Sequence, residues 1–533
     1  MHSKVSGMTT PRDLIKQAAE REIKESDLDW QIRMLESGTK HLMLDRPCKK
    51  GDGIAVLEND RFDKLISLYS EAKEQGRLIK FVPASGAASR MFRDLEAIKN
   101  SGHDLSIDLL KTEACKGDDS AAFALGFFQN IEEFAFLPEL EDVVKANELS
   151  LKDLLEQEKL REILEMLLDE KGLGYSSMLK GMIPFHRYSN RSHTPFEEHL
   201  TEEVKCVTDS AGTVRVHFTI PSGQLDFLKT YIGEAIARVE KNGIQLDVSL
   251  SEQSKSTDTI ALDKSDSPFM LNEDEYLFRP GGHGALLKNL NNLDADILLI
   301  KNIDNIVPEP CMDESVHYWK ILTGYLLEIQ KKIHSWIKRI NDGLLTDALA
   351  NEILKFLCET VFCNIPDNWG AESIEFKGKF LLGRLDRPIR VCGMVENKGD
   401  PGGGPFWVKH PDGRVTPQIV EKEQVNFGKS DQRNVFKSAT HFNPVILVCG
   451  VKDYKGWNYD LQKYCDRDAV FISNKSINGK SLKALELPGL WNGSMAWWNT
   501  IFVDVPYGIF NPVKIVNDLL KEGHKFPDCK SDM

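Results

Sequence analysis

"RLIKFVPASGAASRMFRDL", Arg77 to Leu95, decides the fold. Its first seven residues carry the apolar, β-branched content of a short buried strand. The run then breaks into Ser85, Gly86, Ala87, Ala88 and Ser89 before a basic, helix-prone segment that Arg90 opens. The turn therefore sits at the C-terminal end of a strand. Small residues there let backbone N–H groups approach a ligand, and a helix N-terminus adds partial positive charge suited to phosphate. The stretch reads as a phosphate cradle in which Arg90 can grip the same phosphates bidentately. A small-residue turn after a strand is more often plain packing, and the stretch by itself leaves both readings open.

Working outward, strand-like runs recur downstream: Val214 to Ile220, Ile244 to Leu250, Ala295 to Lys301, Ile389 to Val395 and Pro444 to Gly450. Helical patterns separate several of them, and "GQLDFLKTYIGEAIARVEKNG" joins the first two as a crossover helix should. Three consecutive parts follow. Residues 1–76 read as a helical N-terminal arm, with Ser26 and Asp29 in capping-box spacing and Gly38 as its stop. Residues 77–450 read as one α/β domain carrying a helical insertion at about 95–172 and a helical pair at about 314–364. Residues 451–533 form a C-terminal α/β extension.

Composition narrows the function. A chain of 533 residues, 41% hydrophobic and 28% charged, is too long for one ordinary core and is neither disordered nor fibrous. No apolar run is long enough to span a membrane, and the mixed charge of the first residues lacks the apolar core of a secretory signal, so a cytoplasmic protein without membrane partners is expected. The formal charge of −14 disfavours nucleic acid as partner. Ten scattered cysteines without a Cys-x-x-Cys pair, Cys358 and Cys363 being the closest, indicate reduced thiols.

Further candidate residues cluster in four places. "FRPGGHGALLKNL" puts the backbone of Gly281, Gly282, His283 and Gly284 where it can meet an anion or a base edge. "DADILLIKNIDNIVPE" ends a buried strand at Asp304 and Asn305; magnesium prefers one or two carboxylates plus phosphate oxygens, and a strand's C-terminal end is where it is held. Asp is also common in turns. "SMLKGMIPFHRYSNRSHTPFEEHLTE" offers Lys180 as an anion partner, while its three histidines have spacings that match no helical ligand pair. Lastly, Gly393 to Phe427 has the Gly-Pro-Asp-Gly composition of a hairpin lid carrying Lys398 and Lys409, or of a plain solvated hairpin.

Taken in order, these pieces resemble the UDP-sugar pyrophosphorylase group of nucleotidyltransferases. The group's Gly-Gly-x-Gly-Thr-Arg loop looks like "SGAASR", degenerate at two glycines; its Pro-Lys-Gly like Lys180-Gly181; its Pro-Pro-Gly-His/Asn-Gly like "PGGHG"; its Val-Asp-Asn like "IDN"; and its "PQVVEYSE" segment is similar to "TPQIVEKEQ". One departure is that the helical insertion lies between Arg90 and Lys180, so Lys180 returns to the loop only if that insertion leaves and comes back at one place. The whole chain also resembles a bacterial family called domain of unknown function 4301, from "QIRMLESG" through "TPFEEHL" to "FRPGGHGALLKNLNNLDADI".

The pyrophosphorylase likeness implies a Rossmann-like α/β sandwich of the glycosyltransferase-A type. The implied reaction takes a nucleoside triphosphate and a sugar 1-phosphate to a nucleotide sugar and pyrophosphate. Arg90 and Lys180 would be catalytic, with Mg²⁺ on Asp304. Ser85 to Ser89, Gln253 and Gly281 to Gly284 would bind the nucleotide, and Lys398 and Asn305 the sugar phosphate. Ala88 in place of a loop glycine keeps a non-catalytic nucleotide or sugar-nucleotide binder as the alternative, and a scaffold with protein-binding helical arms as a third class.

Overall fold

The computed structural model describes residues 11–525 except 103–104, 241–242, 362–364, 367, 400–401 and 478. Cys363, Asp400 and Pro401 of the glycine loop, and the first ten residues of the stretch read for a secretory signal, lie outside the described residues. The fold is mixed α/β. Contacts divide the chain into two units of interleaved segments: Met1–Glu71, Ser251–Ile300 and Ile321–Pro506 in the first, and Ala72–Leu250, Lys301–Lys320 and Tyr507–Met533 in the second. No helix among the described residues is long and apolar enough to cross a membrane.

In the second unit, the strands Leu78–Pro83, Thr213–Ile220 and Gln245–Glu252 lie side by side in that order. The first two run parallel, with Lys80 opposite Val216 and Pro83 opposite Thr219. Phe81, Val82, Val216, Phe218 and Ile220 are all buried, as parallel strands covered on both faces require. The expected crossover helix is Leu225–Val239. The insertion is helical from Arg93–Lys99 to Leu160–Leu168. It builds an aromatic core of its own, in which Phe127 and Phe136 each stack on Phe134 at 5.0 Å between ring centroids.

Helix Pro195–Cys206 is buried along nearly its whole length although it carries four glutamates. Its start is dictated locally: Thr194 and Glu197 form a capping box and Pro195 takes the first helical position. Each of its glutamates meets a cation, a histidine or a hydroxyl, which is the condition for burying so many charges.

In the first unit, strands Lys49–Lys50, Gly53–Ala55, Asn499–Asp504, Ile389–Glu396, Ile446–Gly450 and Ile297–Lys301 follow one another across a mixed sheet. Asn499–Asp504 runs parallel to Ile389–Glu396, and Ile446–Gly450 antiparallel to it. The expected hairpin is present, as strands Gly404–Lys409 and Val415–Val420. Gly413, at φ +85°, supplies the left-handed turn residue between them.

The stretch 1–76 is not helical throughout. Met43–Pro47 is a strand that pairs antiparallel with Gly404–Lys409, with Arg46 stacked 4.6 Å over the Trp407 ring. Its partner is far away in sequence, so local pattern could not register the pairing. The helix Glu25–Ser37 begins before the expected cap: Lys24 is its N-cap and Ser26 lies in the first turn, while Gly38, at φ +78°, does close it.

Candidate functional site

The cradle stretch behaves as a strand end should. Ala84 extends the pairing of the Leu78–Pro83 strand by donating to Thr219 O at 2.9 Å, and the chain then leaves the sheet. Gly86, Ala87, Ser89 and Arg90 are exposed, while Ala88 is fully buried, so the residue standing for a loop glycine points its methyl group inward. A side chain at Gly86 would meet nothing within 4 Å. The N–H groups of Gly86, Ala87 and Ser89 have no partner among the described residues, and neither does the Arg90 guanidinium. A strand-end loop with open donors and an unengaged guanidinium is chemically ready for an oxyanion.

Lys180 does come back to this loop. Ala88 N donates to Met178 O at 2.9 Å and Lys180 N to Gly86 O at 3.1 Å, a short antiparallel bridge that closes the insertion where it began. Gly181 is needed because the Phe196 ring approaches so closely that a Cβ would stand 2.7 Å from its Cε2 atom. The Lys180 ammonium reaches Asp304 Oδ2 at 2.9 Å and Val513 O at 3.0 Å. Asp304 lies just beyond the strand that ends at Lys301, where Ile303 N donates to Pro83 O at 3.3 Å. The structure thus brings loop, lysine and carboxylate together in the second unit.

Residues 511–513 complete this arrangement, and no sequence signal pointed to them. Val513 N donates to Asp304 O at 2.9 Å, and Asn511 N to the side-chain oxygen of buried Asn305 at 2.9 Å. Asn305 thus serves the backbone of this segment.

Beneath the loop lies a buried ionic group that the apolar reading of the strand also passed over. Lys80, from the middle of that strand, contacts Glu203 at 2.6 Å and Glu202 at 3.3 Å; Lys301 contacts Glu202 at 2.6 Å. Ser315 donates to Glu202 at 2.9 Å, and the Lys80 ammonium lies 4.2 Å above the Trp319 ring. Burial works to raise both glutamates. For Glu202 the facing Lys301 and Lys80 outweigh it and hold the carboxyl below its ordinary range. For Glu203 burial prevails over Lys80 and pushes it up to about 7. His199, kept neutral by burial, bonds Ile303 O at 3.2 Å and so fixes the backbone that carries Asp304. A lysine inside an apolar strand run was the available signal for such a group.

The three histidines of the Ser177–Glu202 region are engaged by protein. His186 bonds Glu198 at 2.9 Å and His524 at 3.0 Å, and His193 stacks on Tyr188. Among the described residues no group of three His, Cys, Asp or Glu side chains could hold a metal. Asp304 offers magnesium one carboxylate. Its Oδ2 is on Lys180, and its other oxygen carries no hydrogen bond among the described residues, so an ion there fits if phosphate and water supply the remaining ligands.

The other predicted residues belong to the first unit. The Gly281–Gly284 turn is closely packed: a Cβ would lie 2.4 Å from Thr257 O at Gly281 and 2.2 Å from Pro488 O at Gly284. Leu490 N donates to His283 Nδ1 at 3.1 Å, which places the proton of a neutral ring on Nε2, and Trp491 packs against that ring at 4.3 Å. Burial lowers the His283 pKa to about 4. Glu421, the last residue of "PQIVE", stands 4.0 Å from His283 Nε2, and burial pushes its carboxyl up to about 7. Gln253 is half-buried just after the Gln245–Glu252 strand, and Lys398 is exposed just beyond Ile389–Glu396.

Residues 11–525 match the family described as domain of unknown function (DUF4301), and the chain belongs to that family. No curated protein matches it. Among solved structures it is similar to the uridine diphosphate N-acetylglucosamine pyrophosphorylase of Trypanosoma brucei in complex with inhibitor, at 11% identity and a TM-score of 0.45 over 95% of this chain and 78% of that one. It is also similar to a UDP-glucose pyrophosphorylase mutant from Leishmania major, at 11% identity and 0.42 over 96% and 78%. A third is a UDP-glucose phosphorylase from Trypanosoma brucei, at 10% identity and 0.43 over 95% and 77%.

Proposed function

We propose that this member of the domain of unknown function 4301 family is a nucleotidyltransferase that joins a nucleoside triphosphate to a sugar 1-phosphate and releases pyrophosphate. The observation that carries the reading is the convergence of the open Ser85–Arg90 loop with Lys180 and Asp304 at strand ends, although the insertion separates Arg90 from Lys180. The order of the sequence motifs supports it. A Rossmann-like sandwich of the glycosyltransferase-A type, with its site at the strands' C-terminal ends, is part of the same proposal.

In this reading a phosphate oxygen of the sugar 1-phosphate attacks the α-phosphorus in line. A P–O bond forms there, and the bond to the β-phosphate breaks with its electron pair leaving on pyrophosphate. No protein nucleophile takes part. The N–H groups of Gly86, Ala87 and Ser89 and the Arg90 guanidinium hold the β- and γ-phosphates, while Lys180 turns from Asp304 to the oxygen charge that builds during transfer. Magnesium on Asp304 would add charge neutralisation on phosphate oxygens.

A second reading, a non-catalytic nucleotide or sugar-nucleotide binder, is favoured by one observation: Lys180 and Asp304 already satisfy one another, and Val513 O holds the lysine further. Pyrophosphate release with Mg²⁺, a nucleoside triphosphate panel and mixed sugar 1-phosphates separates the two. Transfer predicts release that falls by about 10²–10³ in Lys180→Gln and is lost in Arg90→Ala. Nucleotide-dependent thermal stabilisation without release, abolished by Arg90→Ala, establishes the binder instead.

A further inference from the structure

A small cavity in the first unit is bordered by arginines. Arg384 ends the helix Ile374–Leu385, Arg387 follows it, and Arg414 precedes the strand Val415–Val420. All three line a cavity of about 50 Å³ together with Trp498 and Thr500, and among the described residues no acidic side chain lines it. At roughly 10–15 Å³ per water, that volume holds about four waters or one tetrahedral oxyanion.

Three guanidinium groups border this one cavity. Arg387 Nε caps Gly383 O at 2.8 Å, which is the ordinary use of a cation at a helix C-terminus. Arg414 holds Asp412 at 2.6 Å, but Asp412 does not line the cavity. Arg384 makes no ion pair among the described residues; its guanidinium lies 5.4 Å from the Phe380 ring. Arg390, fully buried, adds charge behind the wall: its Nε donates to Thr500 Oγ1 at 2.8 Å, and one of its terminal nitrogens has no partner among the described residues.

An independent observation comes from Trp498. It lines the cavity, is 4% exposed, and its indole N–H has no acceptor among the described residues. A buried donor left without a partner is unfavourable, and an acceptor entering the cavity would relieve it. Gln418 Nε2 is itself a donor, spent on Thr416 Oγ1 and Ala496 O.

We propose that this pocket binds one phosphate group, either free orthophosphate or the phosphate of a small phosphomonoester, through Arg384, Arg387, Arg414 and the Trp498 N–H. It lies at the amino ends of strands Ile389–Glu396 and Asn499–Asp504, not at the carboxyl ends where sheets of this kind ordinarily take their nucleotide. It is therefore independent of the transferase reading.

The test is titration of the full chain with orthophosphate, and separately with glycerol 3-phosphate, against chloride at matched ionic strength, read by tryptophan fluorescence and thermal stability. The titration is run in wild type and in Arg90→Ala, which removes the cradle guanidinium, and the response that remains in Arg90→Ala belongs to this pocket. Arg384→Gln, on an accessible helix end, should bind about tenfold more weakly or worse, and Trp498→Phe, which keeps the ring and deletes the donor, should also bind more weakly. Response to orthophosphate alone assigns the pocket to the free ion, and equal or tighter binding of glycerol 3-phosphate assigns it to phosphomonoesters; both support the site. An unchanged affinity in Arg384→Gln, a response lost in Arg90→Ala, or no response beyond chloride overturns it.

Discussion

Glu202 and Glu203 are adjacent, equally buried and chemically identical, yet replacing each by glutamine should have very different consequences. Glu202 is the ionised partner of two ammonium groups, at 2.6 Å from Lys301 and 3.3 Å from Lys80, and accepts from Ser315 at 2.9 Å. Glu202→Gln leaves both lysines buried with too little negative charge, and breaking a buried pair in this way costs about 3–5 kcal/mol. With roughly 2–4 °C lost per kcal/mol in a domain of about 150–250 residues, the melting temperature should fall by roughly 6–20 °C.

Among the described residues the one ion pair of Glu203 is with Lys80, and burial raises its carboxyl to about 7, so at pH 6 it is mostly protonated and an amide resembles it. Glu203→Gln should cost less than about 1.5 kcal/mol there. The sign with pH follows. A carboxyl whose folded pKa is raised contributes stability present in full below its ordinary value of 4.5 and lost as pH rises through about 7. Glu203→Gln should therefore gain on wild type between pH 6 and pH 8. Circular-dichroism melts of both variants at those two pH values make the comparison. Equal losses at pH 6, or a larger loss at Glu203, would refute this division of charge.

Two further outcomes are expected. Gly181→Ala should destabilise by about 1–3 kcal/mol, because the added methyl meets the buried Phe196 ring at 2.7 Å and Phe218 packs edge-on against that ring at 5.0 Å; Phe196→Leu should recover part of the loss in a double-mutant cycle. Glu198→Gln should flatten the fall in melting temperature between pH 6 and 8, since burial raises Glu198 to about 8 and its contribution is lost on the alkaline side. The acid side should be unchanged by that substitution: burial lowers His186 and His524 to about 3, and their contribution, present above 6.5, is lost as pH falls.

The strands were legible because they are short, apolar and bounded by turns: Leu78–Pro83, Thr213–Ile220, Ile297–Lys301 and Ile389–Glu396 lie within two residues of their expected positions. The loop, Lys180 and Asp304 were legible as motif residues, each at the end of a local element. What escaped was non-local. Met43–Pro47 becomes a strand only against Gly404–Lys409, and Val513 and Asn511 reach Lys180 and Asn305 from a segment with no feature of its own. Lys80 hid within an apolar run whose pattern calls for a buried residue, and the four glutamates of Pro195–Cys206 suggest a solvated face until their partners are seen.

The contact between Asn511 and Asn305 spans 206 residues of chain. At synthesis rates of roughly 5–20 residues per second, a nascent chain carries Asp304 and Asn305 for about 10–40 s before the segment that covers them exists. Through that interval Lys180 lacks one of its two acceptors and Asp304 is open to any cation at hand. Assembly of this site thus waits on a segment made long after the strands, and slowed elongation or early chain release would yield molecules with formed strands and an unfinished centre.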